Sequence, residues 1–262
     1  LNQMSTQITT ETVKELRDKT GISVMQCKRA LEEAEGDMVK ALAILKKTSS
    51  DIALKKVNRE AKDGAVTIKT GDKKAVLVSL HCETDFVSRN EDFTTLLSKL
   101  GDSALAGGLD KMKEQAKDMI DPIIQKTGEN IQLGDIYEVS GDVVGSYVHN
   151  DKTGVIVSLE GGNKDLARDI AMHITAMKPE YITEAEIGEE AKRTMMEIFE
   201  KEIAQSDKPE EIKKKMLAGK IATYFKEKTL LEQPFIKDGE QTIGKLLEKA
   251  TAKIKEVKRY SI

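Results

Sequence analysis

At 262 residues the chain is long enough for one large domain or two modest ones, each able to bury a core. With 39% hydrophobic residues, no apolar run of membrane-spanning length, and 42 Lys plus Arg against 45 Asp plus Glu for a net charge of −3, the composition excludes a membrane span and argues against a broad nucleic-acid surface. Two cysteines, Cys27 and Cys82, lack C-x-x-C spacing, and the chain opens with neither a secretory nor a transit signal; both features suit a reducing, cytoplasmic setting.

Leu1-Asn2-Gln3 before Met4 reads as a remnant of expression cloning. From Thr9 to Lys47 the punctuation predicts three short helices. Thr10 caps the first, with Val13 and Leu16 inward, and Gly21 ends it. Ser23-Val-Met-Gln26 is a capping box for the second, and Gly36-Asp37 turns into the third. Val24, Met25, Leu31, Ala34, Val39, Leu42, Ile44 and Leu45 supply the apolar faces of a small bundle, taken as residues 5–48. Residues 49–62 read as a polar linker, with Asp51 able to cap a further short helix. The basic Lys55, Lys56 and Arg59 fit a solvated tether better than an RNA contact.

The core is predicted in two parts, 63–140 and 141–262. Gly64–Thr70 and Ala75–Leu80 alternate as strands across Gly71-Asp72, a hairpin signal. Helical spacing runs from Phe93 through Leu96, Leu97 and Leu100, and resumes after Gly107-Gly108 to Ile124, with Pro122 expected to kink or interrupt it. Ile131–Val139 is a strand. Gly141–His149 and Gly154–Leu159 form a second hairpin across Asn150-Asp151, followed by a helix over 164–177. Residues 184–228 read as a projecting antiparallel helical hairpin. It opens on the capping box Thr183-Glu-Ala-Glu186, carries the stripe Ile187, Ala191, Met195, Ile198 and Glu202, and has Pro209 in the first turn of its second arm. In the module 229–262, Gln233-Pro-Phe-Ile236 is extended, 242–251 helical and 256–261 a strand that can complete the second sheet.

The two core parts repeat one another. Asp72-Lys-Lys-Ala-Val-Leu-Val-Ser-Leu80 matches Asp151-Lys-Thr-Gly-Val-Ile-Val-Ser-Leu159, and the next helix opens twelve residues after Leu80 but only six after Leu159. The six extra residues of the first copy include Glu83-Thr84-Asp85-Phe86-Val87. A scaffold that closes without them once makes recognition a better reason for them than folding. An acid beside two apolar groups, in a connection that should run over the surface, points the same way.

No residues assemble a catalytic or metal site. His173 falls on an apolar helix face and reads as a core histidine; His81 lacks spaced partners for zinc; His149, beside a turn, is exposed, either as a contact or merely solvated. Gly161-Gly162-Asn163-Lys164 and Gly128-Glu129-Asn130 lack Walker spacing and read as turns. No nucleophile elbow or paired carboxylates stand out. No cofactor is implied.

Leu16-Arg17-Asp-Lys-Thr20-Gly21-Ile-Ser-Val-Met25-Gln-Cys27-Lys28-Arg-Ala30-Leu31 resembles the first signature of the bacterial elongation factor Ts family, and Thr84-Asp85-Phe86-Val87 the second. The similarity continues through Gly141–His149, Ile170–His173, Lys178-Pro179-Glu180 and Gln233-Pro234-Phe235. The resemblance implies an α+β protein with a ubiquitin-associated-like three-helix bundle, a two-part core and a projecting hairpin. It also implies an exchange factor, not an enzyme, that releases GDP from the translational GTPase elongation factor Tu, met in its GDP-bound and nucleotide-free states as a heterodimer or a 2:2 complex. Thr84, Asp85, Phe86 and Val87 would act near the partner's Mg²⁺ site, with Arg17, Lys28, His149, Phe235 and Ile236 as further contacts. His81 and Glu83 depart from the family's usual Asn-like residue and Gln, Thr127 replaces an apolar residue, and the carboxyl end is short. The alternative reading is an adaptor whose bundle binds a peptide or a ubiquitin-like fold while the core dimerises.

Overall fold

The computed structural model describes residues 8–262. The expectation for Leu1-Asn2-Gln3 and the first residues of the predicted bundle (5–7) lie outside the described residues. Helices and antiparallel strands are mixed throughout, an α+β arrangement.

Three helices open the chain: α1 (Thr10–Thr20), α2 (Val24–Glu33) and α3 (Met38–Leu54). Thr9, not Thr10, caps α1, exchanging hydrogen bonds with Thr12. Gly21, at φ 68°, ends it in the left-handed conformation. Ser23 caps α2 through the Gln26 N–H, but its hydroxyl, not its backbone, meets the Gln26 side chain, so the predicted box is half made. Leu16, Cys27, Leu31, Ala41 and Leu45 form the bundle core. Val24, Met25 and Val39, expected inside, are outside it, Met25 at 65% and Val39 at 76% exposure.

The predicted linker is corrected most. α3 runs unbroken through Thr48-Ser49-Ser50, and Asp51 caps nothing. Thr48 and Ser49 return their hydroxyls to the carbonyls of Ile44 and Leu45, so these polar residues have no need to leave the helix. Ala53 and Ile52 then pack into the core beneath β2. Apolar cover decided the helix's length; hydroxyl content did not.

Two units divide the chain: residues through Glu138 with Val148–Gly154 and Arg259–Ile262, and Val139–Tyr147 with Val155–Lys258. In the first, β1 (Asp63–Thr70) pairs with β2 (Lys74–Cys82) from Thr70↔Ala75 to Asp63↔Cys82, with Gly71, Asp72 and Lys73 between the strands. β2 is central in the order β1-β2-β3, where β3 is Gln132–Ser140. Its residues Ala75–Leu80 are buried on both faces and not in alternation, as a central strand covered twice requires. Val76, Val78 and Leu80 meet Phe93, Leu97 and Leu100 of α5 (Glu91–Gly107) and Met112 and Ile124 of α6 (Leu109–Thr127). Pro122 does not interrupt α6. The carbonyl four residues before it belongs to exposed Asp118, where water can take the bond that proline cannot make.

The second copy supplies β4 (Val143–His149), β5 (Thr153–Glu160) and α7 (Lys164–Met177), with β5 central between β4 and β8 (Lys253–Ser261). β8 thus completes the second sheet. Asn150 and Asp151, both at positive φ, make the two-residue turn their identities favour. Gly145 is obligatory: a Cβ there would lie 2.4 Å from the Arg168 nitrogen on α7.

Of the hairpin, α8 (Glu189–Ala204) and α9 (Glu210–Lys228) are present. Thr183 makes no side-chain cap. Residues 184–186 are a single 3₁₀ turn, and α8 starts after Gly188. Pro209 is the cap of α9 and not part of its first turn. The buried residue of α8 is Ile203, outside the predicted stripe, whereas Ile198 of that stripe is exposed. After Leu230, β6 (Pro234–Phe235) pairs with β7 (Asp238–Thr242), a strand the sequence reading missed, and α10 (Ile243–Lys249) follows.

Candidate functional site

The six extra residues of the first copy fold into a capped turn of helix, α4 (Asp85–Ser88). Thr84 is its cap, the hydroxyl accepting from the Val87 N–H at 3.5 Å, and Asp85 sits in the first turn, where a carboxylate suits the helix dipole. The two apolar side chains divide. Val87 packs against the first-unit core, while Phe86 stands 83% exposed. Leaving a phenyl ring in water forfeits about 1.5–3 kcal/mol of burial. Asp85 pairs with Arg89 at 3.3 Å, one turn on.

Two polar networks hold this turn. On one side the Glu129 carboxylate accepts from the Glu83 N–H (3.0 Å), the Thr84 N–H (3.0 Å) and the Thr84 hydroxyl (2.6 Å). Glu83 reciprocates, accepting from the Asn130 N–H at 2.7 Å and pairing with Arg59 at 3.5 Å. Glu83 is thus tied to the loop at Glu129-Asn130. His81 shares a 2.7 Å hydrogen bond with the Tyr260 hydroxyl. On the other side Lys152 donates to Asp63 (2.7 Å), the Gly64 carbonyl (2.5 Å) and the Ser88 hydroxyl (3.4 Å). Burial pushes Asp63 up, but the bonds from Lys152, Ser88 and the Gly64 N–H outweigh it and hold the carboxyl at about 2. Gly64 must be glycine, since a Cβ would lie 2.3 Å from the Leu80 carbonyl oxygen. Cys82, beneath the turn, donates its thiol to the Thr84 carbonyl. Burial, with the Asp63 and Glu129 charges, pushes that thiol up to about 12, so it is no nucleophile.

The remaining predicted residues fall in separate places. His149 is exposed at the end of β4, 3.2 Å from the Asn150 amide. Arg17 and Lys28 line one groove of about 330 Å³ on the bundle, with Lys14, Val13 and Val24. Phe235 is a correction: it is buried in the second-unit core beside His173 and is not presented to a partner. Ile236 beside it is 48% exposed. Its N–H donates to His173 Nδ1 at 3.2 Å, so the ring's Nε2–H is left for Gln233 Oε1 at 2.9 Å. Burial lowers the His173 pKa against the pull of Gln233, and the ring stays neutral as a core histidine. Glu129, Asp63 and Lys152 were not picked out from the sequence as supports of this turn. Their partners lie 45 to 89 residues away, beyond any spacing rule.

Among the described residues no cluster of His, Cys, Asp or Glu could hold a metal ion, and no helix is long and apolar enough to cross a membrane. What the surface offers is an aromatic wedge with a neighbouring acid on a braced turn. In comparisons with known proteins, the family model described as Elongation factor TS matches residues 83–262. Similar proteins include Elongation factor Ts of Hahella chejuensis (strain KCTC 2396), 41% identical over 97% of this chain and 92% of the relative. Those of Thioalkalivibrio sulfidiphilus (38%, covering 97% and 92%) and Azotobacter vinelandii (37%, covering 98% and 91%) are alike over the same extent.

Proposed function

Since the chain belongs to the elongation factor Ts family, we propose that it is a guanine nucleotide exchange factor for elongation factor Tu, acting in the cytoplasm by binding and making or breaking no covalent bond. The observation that carries the reading is Phe86, exposed on a capped turn that the second copy of the scaffold lacks. Thr84 and Val87 seat the turn, Phe86 and Asp85 enter the partner near its Mg²⁺ and phosphate site, and His149, Ile236, Arg17 and Lys28 widen the contact. Phe235 serves from inside, fixing the strand that presents Ile236. The bundle acts as a ubiquitin-associated-like module reaching to Leu54, with the connector reduced to residues 55–62 and the two core halves following.

The physics is differential binding. A partner holding GDP at nanomolar affinity has about −12 kcal/mol invested in that complex, part of it through a Mg²⁺ that demands near-octahedral geometry. Disturbing one ligand of such an ion is an inexpensive way in. Coupling is reciprocal, so a thousandfold loosening of nucleotide by the factor is matched by a thousandfold loosening of the factor by nucleotide, about 4 kcal/mol. Burying Phe86 contributes about 1.5–3 kcal/mol, so contacts from both core halves share the task. The test is to add a catalytic amount of the chain to elongation factor Tu loaded with fluorescent GDP, in excess unlabelled GDP. Faster fluorescence decay is expected; an unchanged decay overturns the reading.

A further inference from the structure

The Lys152 ammonium spends its three donors on two segments: the Asp63 carboxylate and the Gly64 carbonyl at the start of β1, and the Ser88 hydroxyl that closes the wedge helix. Its backbone belongs to the turn that carries His149, since the Lys152 N–H donates to the His149 carbonyl at 3.0 Å. That turn is fixed again on either side of Lys152, where the Val66 N–H donates to the Asp151 carbonyl at 2.8 Å and the Ile262 N–H to the Lys152 carbonyl at 2.9 Å. Ser88 is buried, and its hydroxyl also reaches the Asp85 carbonyl at 3.2 Å. One side chain therefore ties the two exposed features, Phe86 and His149, through α4 at one end and the β4–β5 turn at the other.

We propose that Lys152 is a positioning residue that holds the Phe86 helix and the His149 turn in one register, so that both are presented to the nucleotide-loaded partner as a single rigid contact. The proposal rests on the exchange reading for its consequence, but its physical content, the tie itself, is independent of any partner. A salt bridge with a merely local structural role would cost stability without coupling the wedge to the turn. A positioning tie loosens both ends when cut, and its effect on exchange vanishes once the wedge is gone, because residues acting through one another are non-additive.

The full chain is compared as wild type, Lys152→Met, Lys152→Arg and Ser88→Ala. Ser88→Ala cuts the Lys152 link to α4, together with the hydroxyl's own bonds to Asp63 and the Asp85 carbonyl, while leaving the Lys152–Asp63 pair intact, and serves if Lys152→Met folds poorly. In the free protein, amide hydrogen exchange at Ser88, Arg89 and Asn90 is expected to rise about tenfold in Lys152→Met and Ser88→Ala, with α5 unchanged and protection restored in Lys152→Arg. Unaltered exchange at those amides in both variants overturns the proposal whatever the partner does. In stopped-flow release of fluorescent GDP from elongation factor Tu, Lys152→Met is expected to slow release about tenfold, but less than about twofold in a Phe86→Ala background. Full additivity, or an unaltered rate, overturns the positioning role. A Phe86→Ala chain that releases GDP as fast as wild type defeats the exchange reading and the positioning role with it, while hydrogen exchange still decides whether the tie exists.

Discussion

At the scale of single residues, Phe86 and Asp85 contribute little to the fold that carries them. Phe86 is mostly solvated and Asp85 forms a surface pair with Arg89, an interaction that stabilises by at most about 1 kcal/mol. Phe86→Ala and Asp85→Ala are therefore expected to melt within a degree or two of wild type by circular dichroism while slowing GDP release; a large drop in melting temperature would mean that the turn needs them for folding. Asp63 behaves oppositely. Its folded pKa, about 2, lies below the ordinary 3.8, so its stabilisation is full above about pH 4 and is lost as pH falls through about 2. Asp63→Asn should be less stable than wild type at neutral pH, with the gap in chemical denaturation closing between pH 4 and 2; a gap constant over that window contradicts the pairing with Lys152. The exposure of Phe86 was legible in the sequence because repeat arithmetic left its segment without a scaffold role. Phe235 was not, because its burial depends on β6 pairing with β7 and on the His173 ring, neither of which local pattern reveals.

At the scale of elements, the helix α3 shows where sequence reading ran out. Thr48-Ser49-Ser50 looks like a break, yet the hydroxyls bond within the helix, Ser49 also reaches Gln125 of α6 at 2.5 Å, and Lys46 meets Asp118 at 2.6 Å. The bundle is thereby joined to α6 along a continuous helix. Ser49→Pro removes a helix N–H and clashes with the preceding turn, so it is expected to cost about 3 kcal/mol. A loss under about 1 kcal/mol in urea denaturation would restore the flexible tether. The two halves of the hairpin were legible as helices, but which face is buried was not. Lys and Glu crowd the two ends of α9, and its contacts include ring pairs: Phe199 with Tyr224 at 5.7 Å, Tyr224 with Phe225 at 5.2 Å and Tyr181 with Phe225 at 6.4 Å between centroids. Such pairs follow ring geometry, which a stripe of aliphatic spacing does not encode.

At the scale of the whole molecule, duplication accounts for most of the architecture. β2 and β5 are both central strands, each preceded by a hairpin partner and followed by a helix, and the serine shared by the two repeats, Ser79 and Ser158, donates to a carbonyl in each copy, Asp135 and Ser140. The copies differ where the first inserts a braced turn of helix and exposes a phenyl ring. The central claim is that this difference is the tool of nucleotide exchange. Its most direct measurement is the stopped-flow rate of GDP release from elongation factor Tu driven by the Phe86→Ala chain against wild type at saturating factor. Loss of about 1.5–3 kcal/mol of wedge burial predicts release slower by roughly ten- to a hundredfold yet still faster than the spontaneous rate. Equal rates for the two chains would contradict the account.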